Sequence, residues 1–208
     1  MFRTGFRAAL GLLLLLGMAA CGADHKFADS ATVEQARYVS DEPPSVTLYT
    51  VINNNTDAGA HSSLLINGSQ RVMYDPAGTW YHPSVPERND LHYGMTPRMT
   101  SFYIDYHARV TFRVIEQKLL VSREMADQII AAAIAEGASG KATCANTLSN
   151  MMRKIPGFES IGSTWFPKAL AKDFGKLPGV TERVIRDGDS DENSGVLTVQ
   201  ANGEPGRI

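Results

Sequence analysis

Cysteine is almost absent: the 208 residues hold two, Cys21 and Cys144. That excludes a fold stapled by several disulfides and the C-x-x-C spacing of structural zinc sites. Basic residues are not in excess. Twenty Lys and Arg stand against 22 Asp and Glu, a formal net charge of −2, and no basic stripe recommends a nucleic-acid partner. After the N-terminal apolar stretch, no run approaches the ~20 apolar residues of a transmembrane helix. A glycine-rich phosphate loop, a serine nucleophile elbow and internal repeats are missing too. No pattern calls for a cofactor. A chain of this length is expected to form one domain, and any chemistry must come from scattered side chains that folding brings together.

The N-terminus reads MFRTGFRAALGLLLLLGMAAC. Arg3 and Arg7 form a short positive region, Ala8 to Met18 an apolar core, and Ala19 and Ala20 a pair of small residues before Cys21. This is the layout of a cleaved secretory signal, too short to span a bilayer. Gly17-Met18-Ala19-Ala20-Cys21 also resembles the lipobox of bacterial lipoproteins, which implies lipidation of Cys21 and removal of residues 1–20. Gly22, where an inner-membrane lipoprotein carries Asp, implies an outer-membrane lipoprotein facing the periplasm. The lipid is then the membrane link, and since each buried CH₂ contributes roughly 0.8 kcal/mol, two or three chains anchor permanently. With Cys21 lipidated, Cys144 lacks a partner within the chain. A lone thiol in an oxidising compartment is buried, intermolecular or reactive.

Residues 21–44 are polar, end in Pro43-Pro44 and read as a membrane tether, with a short helix near Thr32–Tyr38. The domain is expected over 45–180. SVTLYTVI (45–52) has the β-branched and aromatic content of a buried strand. HSSLLI (61–66) and RVMYD (71–75) flank Asn67-Gly68-Ser69-Gln70, a hairpin signal because Asn-Gly tolerates positive φ. Residues 76–100 read as a long irregular segment, SFYIDYH (101–107) and RVTFRVIEQ (109–117) as strands. Ser122 is a helix cap for 123–136, whose apolar face is Met125, Ile129, Ile130 and Ile134. Thr143 is a cap for a second helix running to Pro156-Gly157, and a third covers about 165–174 with Pro167 in its first turn. The Asp-, Gly- and Asn-rich 181–208 reads as a mostly disordered tail, with 196–200 a possible strand. Strands followed by helices suggest an α+β fold.

Cys144 opens that helix, where unsatisfied N–H groups and the helix dipole favour a thiolate and can hold an oxyanion. It also shares a helix face with Leu148, Met151 and Ile155, the pattern of a small core residue. A thiolate nucleophile needs a base and a group that orients the base. His61 opens a strand after a glycine-bearing loop, and the hairpin brings Asp75 back near it, with 61 expected to pair near 74–76. His107 with Asp105 is the competing pair. His82, His92 and Asp90 have no metal-ligand spacing. Trp80, Tyr81 and Tyr93 either line a groove or pin the 76–100 loop to the core.

The order of AHSSLLI, RVMYDPAG, RVTFRVIEQ, the helix SREMADQIIAAAIAEG and the cysteine of TCANTLSNMM resembles the circularly permuted papain-like (NlpC/P60-type) thiol hydrolases, over about 45–155. The resemblance implies Cys144 as nucleophile, His61 as base and Asp75 as the orienting residue. The chain departs from the usual pattern at Thr143, where relatives carry Asn, and at Met73, where they carry the third polar residue. The resemblance also implies a thiol hydrolase or acyltransferase acting on amides or esters, with an antiparallel sheet packed against a helix that carries Cys144 at its N-terminus; together with the lipobox this gives a lipid-anchored enzyme, and the location suggests a cell-wall peptide, protein or lipid as substrate. The alternative is a non-catalytic envelope lipoprotein that binds or assembles with a partner.

Overall fold

The computed structural model describes residues 26–191 and 193–202, so Cys21 and the leader lie outside the described residues. The fold is α+β: a seven-stranded antiparallel sheet and, among the described residues, six helices. The elements in chain order are α1 Ser30–Gln35, β1 Ser45–Asn53, β2 Gly59–Asn67, β3 Arg71–Tyr74, β4 Glu87–Arg88, β5 Leu91–Tyr93, α2 Pro97–His107, β6 Phe112–Leu120, α3 Arg123–Glu136, α4 Cys144–Met152, α5 Pro167–Phe174, β7 Thr181–Arg186 and α6 Asn193–Ala201. The strand order is β4-β5-β3-β2-β1-β6-β7.

The centre of the sheet is buried on both faces, so alternate residues of β1 and of Leu64–Ile66 in β2 feed two cores. Val46 and Leu48 of β1 and Leu64 and Ile66 of β2 point to one face. There they meet Ile129 and Ile130 of α3, Leu148 and Met151 of α4, and Leu170 and Phe174 of α5. Tyr49, Val51 and Leu65 point to the other face, against Trp80, Met95, and Phe102 and Tyr103 of α2.

The 123–136 helix is found as expected, with Ser122 accepting a hydrogen bond from the Met125 N–H, but its buried face is Ala126, Ile129, Ile130 and Ala133 and Ile134 is exposed; Pro167 occupies the first turn of α5. The hairpin also forms, Asn67 opposite Arg71, but not by a left-handed turn: Gly68 keeps an ordinary φ. The glycine answers a close approach instead, since a Cβ there would sit 2.3 Å from the Asp127 carboxylate of α3, which accepts from the Ser69 N–H at 2.7 Å.

Three expectations are corrected. Residues 101–107 are helix, not strand. Thr96 caps α2 by accepting from the Met99 N–H and Pro97 occupies its first turn, while Phe102, Tyr103 and Tyr106 fall at the three- and four-residue spacing of one face; start signal and periodicity outweigh the aromatic content. β6 begins at Phe112, not 109: Arg109 and Phe112 exchange backbone hydrogen bonds across a tight turn, which leaves Val110 exposed. The 181–208 tail is not mostly disordered over its described part. β7 pairs with β6 from Arg113↔Arg186 to Lys118↔Thr181, and 196–200 belongs to α6, whose Gln200 is fully buried. Two elements are also ordered where loops were read. Residues 26–44 lie along the sheet, with the Arg71 N–H donating to the Tyr38 carbonyl, and 76–100 contains β4, β5 and the start of α2. No helix of the described residues is long and apolar enough to cross a membrane.

Candidate active site

Three separate segments bring Cys144, His61 and Asp75 to one end of the sheet. The β1–β2 register shifts where Val51 faces His61 but Ile52 faces Gly59, so Ala60 is an extra residue. A bulge bends its strand and re-aims the adjoining side chain, and here that side chain is His61. Gly59 beside it is needed for space, because a Cβ would lie 2.7 Å from the backbone N of Lys168 at the start of α5. The β2–β3 ladder ends at Leu64↔Tyr74, so 61 does not pair with 74–76 as a ladder residue. The side chains meet nonetheless: His61 Nε2 and Asp75 Oδ1 are 2.6 Å apart. Met73 is fully buried, in the same core cluster as Trp80.

Cys144 is the first residue of α4 and is 6% exposed. Thr143 does not cap the helix with its side chain, contrary to expectation; its hydroxyl donates to the Gly140 carbonyl at 2.7 Å. The first turn therefore keeps backbone N–H groups without a side-chain acceptor. Ala142 just before it has a φ of 61°, a left-handed conformation costly for a residue with a Cβ and common near functional sites. Ala77, two residues past Asp75, has a φ of 59°.

The charges favour an ion pair. Burial alone would push the Cys144 thiol pKa up, but hydrogen bonding and the positive charge of His61, with backbone N–H groups of Ser62 and Ala145, bring it below the ordinary value. Burial disfavours a charged His61, yet the Asp75 carboxylate, followed by the Cys144 sulfur, raises its pKa well above that of free histidine. Asp75 is likewise opposed by burial and held low, at about 2, chiefly by His61. Each partner stabilises the charged form of the next. With Nε2 committed to Asp75, Nδ1 is the ring nitrogen left for the thiol.

Residues that the sequence reading missed hold this line in place. Tyr103 of α2 donates its hydroxyl to Asp75 Oδ1 at 2.8 Å and lies 2.7 Å from Ser63 Oγ. The Asp90 carboxylate accepts from the Ala77 N–H at 3.0 Å and from the Ser139 N–H at 2.8 Å. One side chain thus ties the loop after Asp75 to the loop before Cys144. Gly78 leaves room for Asp75, since a Cβ would fall 1.8 Å from Oδ2. The capped start of α2 would have placed Tyr103 on a helix; nothing local signals Asp90.

The competing pair separates. Asp105 turns away to Arg109 at 3.4 Å and Gln200 at 3.0 Å. His107 stays, stacked on His61 with ring centroids 5.6 Å apart and planes within 9°. His82, His92 and Asp90 do not converge: His82 Nε2 meets the Gln200 carbonyl, and His92 packs edge-on to Trp80. Trp80 is 1% exposed, and its indole N–H donates to Gln200, so it pins the loop to the core. Comparison with protein-family models, with curated proteins and with solved structures gives no match.

Proposed function

We propose that the protein is a thiol hydrolase or acyltransferase of the circularly permuted papain-like kind, anchored in the cell envelope by lipid on Cys21 and acting on amide or ester bonds. The single observation that carries this reading is the line from Asp75 through His61 to Cys144, set at a helix N-terminus. A thiol, an imidazole and a carboxylate from three segments, each shifted toward its charged form, make a nucleophile with its base and orienting group.

In this mechanism the Cys144 thiolate attacks a carbonyl carbon. The oxyanion that develops accepts hydrogen bonds from backbone N–H groups in the first turn of α4. His61 Nδ1 carries the proton taken from the thiol and passes it to the leaving atom as the C–X bond breaks, leaving an acyl thioester. A second nucleophile gives its proton back to His61 and displaces the sulfur. Asp75 fixes the imidazole through Nε2 and stabilises its cationic form. A substrate in the cell wall or envelope follows from the lipoprotein reading of the leader.

The low exposure of Cys144 favours a second reading, a non-catalytic envelope lipoprotein with this residue as core. Iodoacetamide labelling of Cys144 against pH separates the two, on protein lacking the leader and Cys21, with His61→Ala as control. The enzyme reading expects fast labelling well below the free-thiol pKa of ~8.5, lost in the control. A thiol that labels only on unfolding overturns it.

A further inference from the structure

Three aspartates converge on the side of α2 that meets α6. Asp105 belongs to the last turns of α2, and Asp187 and Asp189 lie in the loop between β7 and α6. One carboxylate oxygen from each lies within 4.8 Å of the other two. A cavity of about 310 Å³ opens beside them, lined by Asp105, Arg109 and Asp189 and by Val196, Val199 and Gln200 of α6.

Exposed acidic clusters are ordinarily satisfied by water. Here two of the carboxylates are withdrawn from water without being satisfied. Asp105 is 1% exposed. Its Oδ2 accepts from the Gln200 side-chain amide at 3.0 Å, but Oδ1 is buried and has no hydrogen-bond partner among the described residues. Asp187 repeats the pattern. Its Oδ1 accepts from the Asp189 N–H at 2.8 Å, while Oδ2 is buried and likewise without a partner among the described residues. Burying an ionised oxygen without a donor or counter-ion is costly, so such an atom calls for one or the other.

Arg109 answers only part of the charge. Its guanidinium lies 3.4 Å from Asp105 and 3.5 Å from Asp189, longer than the roughly 2.7–2.9 Å of a charge-assisted hydrogen bond. Its Nε and Nη2 are themselves buried without a hydrogen-bond partner. Three carboxylates against one guanidinium leave a formal charge of −2, which one divalent cation balances. The donors are all carboxylate oxygens, with neither His nor Cys among them, which selects a hard cation. Two of the three stand on a loop, and Asp189 is exposed. That suits the adaptable coordination of Ca²⁺, completed by water, better than the strict octahedron of Mg²⁺.

We propose that Asp105, Asp187 and Asp189 form a Ca²⁺ site that fastens the C-terminal segment onto α2. The ion bridges α2 to the loop leading into α6, next to the contacts that Gln200 makes with the Phe102 carbonyl, the Trp80 indole and the His82 ring. It braces the helix that carries Tyr103, and its role is structural, independent of the thiol chemistry.

The test uses the full chain carrying Cys21→Ser, stripped with EDTA, dialysed and titrated calorimetrically with CaCl₂. The expected result is one site per chain with a dissociation constant of about 1 mM or tighter, within reach of extracellular calcium modules. The thermal midpoint should rise by at least about 3 °C at tenfold excess over that constant, while NaCl of equal ionic strength leaves it in place. Asp187→Asn with Asp189→Asn keeps the shape and removes two charges. It should weaken calcium binding at least about tenfold and abolish the midpoint rise, and a cooperative melt in EDTA shows that the variant is folded. No binding heat and no midpoint rise in the parent chain overturns the site. Binding unchanged in the folded double variant puts the ion elsewhere and overturns it too. An equal midpoint rise with MgCl₂ overturns the choice of calcium.

Discussion

The two faces of the sheet are packed by different means. Beneath α3, α4 and α5 the core is built mainly of hydrocarbon side chains, among them Leu64, Ile66, Ile129, Leu148, Met151 and Phe174. The face under α2 and α6 is apolar too, but a buried polar chain runs through it, from Ser63 and Tyr103 to Asp75, His61 and the stacked His107. Burial on the first face is non-directional and stabilises by area. On the second, each polar atom needs a partner at the right angle, since an unmatched one costs about 1–3 kcal/mol. The first face holds α4 at the correct height, and the second holds the base and its orienting group. Cys144 lies where the two meet.

Substitutions should therefore separate along the same line. Cys144→Ala and His61→Ala are expected to lower acyl transfer about 10³-fold or more, with the thermal midpoint nearly unchanged in Cys144→Ala and lowered in His61→Ala, which leaves the buried Asp75 carboxylate without its partner. Activity within tenfold of the parent would place the chemistry elsewhere. Leu148→Ala belongs to the hydrocarbon face and is expected to destabilise by about 2–5 kcal/mol in urea unfolding, while the pH profile of Cys144 alkylation stays in place. A shifted profile would mean the two faces are coupled.

Asp75→Asn keeps the shape and removes the charge, and transfer should fall on the order of 10²-fold. Without the carboxylate the His61 pKa falls and the Cys144 pKa rises, so the thiolate limb of the alkylation profile moves to higher pH. Asp75 also gives a stability signature. Its folded pKa of about 2 lies below the unfolded ~3.9, so its contribution is complete above ~3.9 and lost as pH falls toward 2. The urea midpoint should drop through that window in the parent and be flatter in Asp75→Asn. The smallest effect is expected from Tyr103→Phe, about fivefold in transfer, the scale of one net hydrogen bond. If its alkylation limb does not move even slightly upward in pH, Tyr103 is packing alone.

The hydrocarbon face was the more legible in the sequence. Ser122, the apolar spacing through Ile129 and Ile130, and Pro167 mark α3 and α5 by local rules, and β1 and β2 are plain in their β-branched content. The polar face was harder because its signals conflict. Residues 101–107 carry strand-like aromatics on a helix that Thr96 and Pro97 announce, and reading the aromatics first hid Tyr103 and misplaced His107. The tail shows the same limit: β7 has a polar, mostly exposed sequence and becomes a strand because β6 presents an unpaired edge.

For the candidate site, chain order and residue chemistry alone singled out Cys144, His61 and Asp75, since a lone thiol at a helix start and a histidine at a hairpin opening are local features. The sequence also determined the α+β class, because periodicity and caps are written within each segment. Only the tertiary structure decided that the bulge at Ala60 aims His61, that Asp90 ties together the loops behind Asp75 and Cys144, and that His107 stacks on His61. Those relations join segments tens of residues apart through backbone contacts, and no local propensity encodes them.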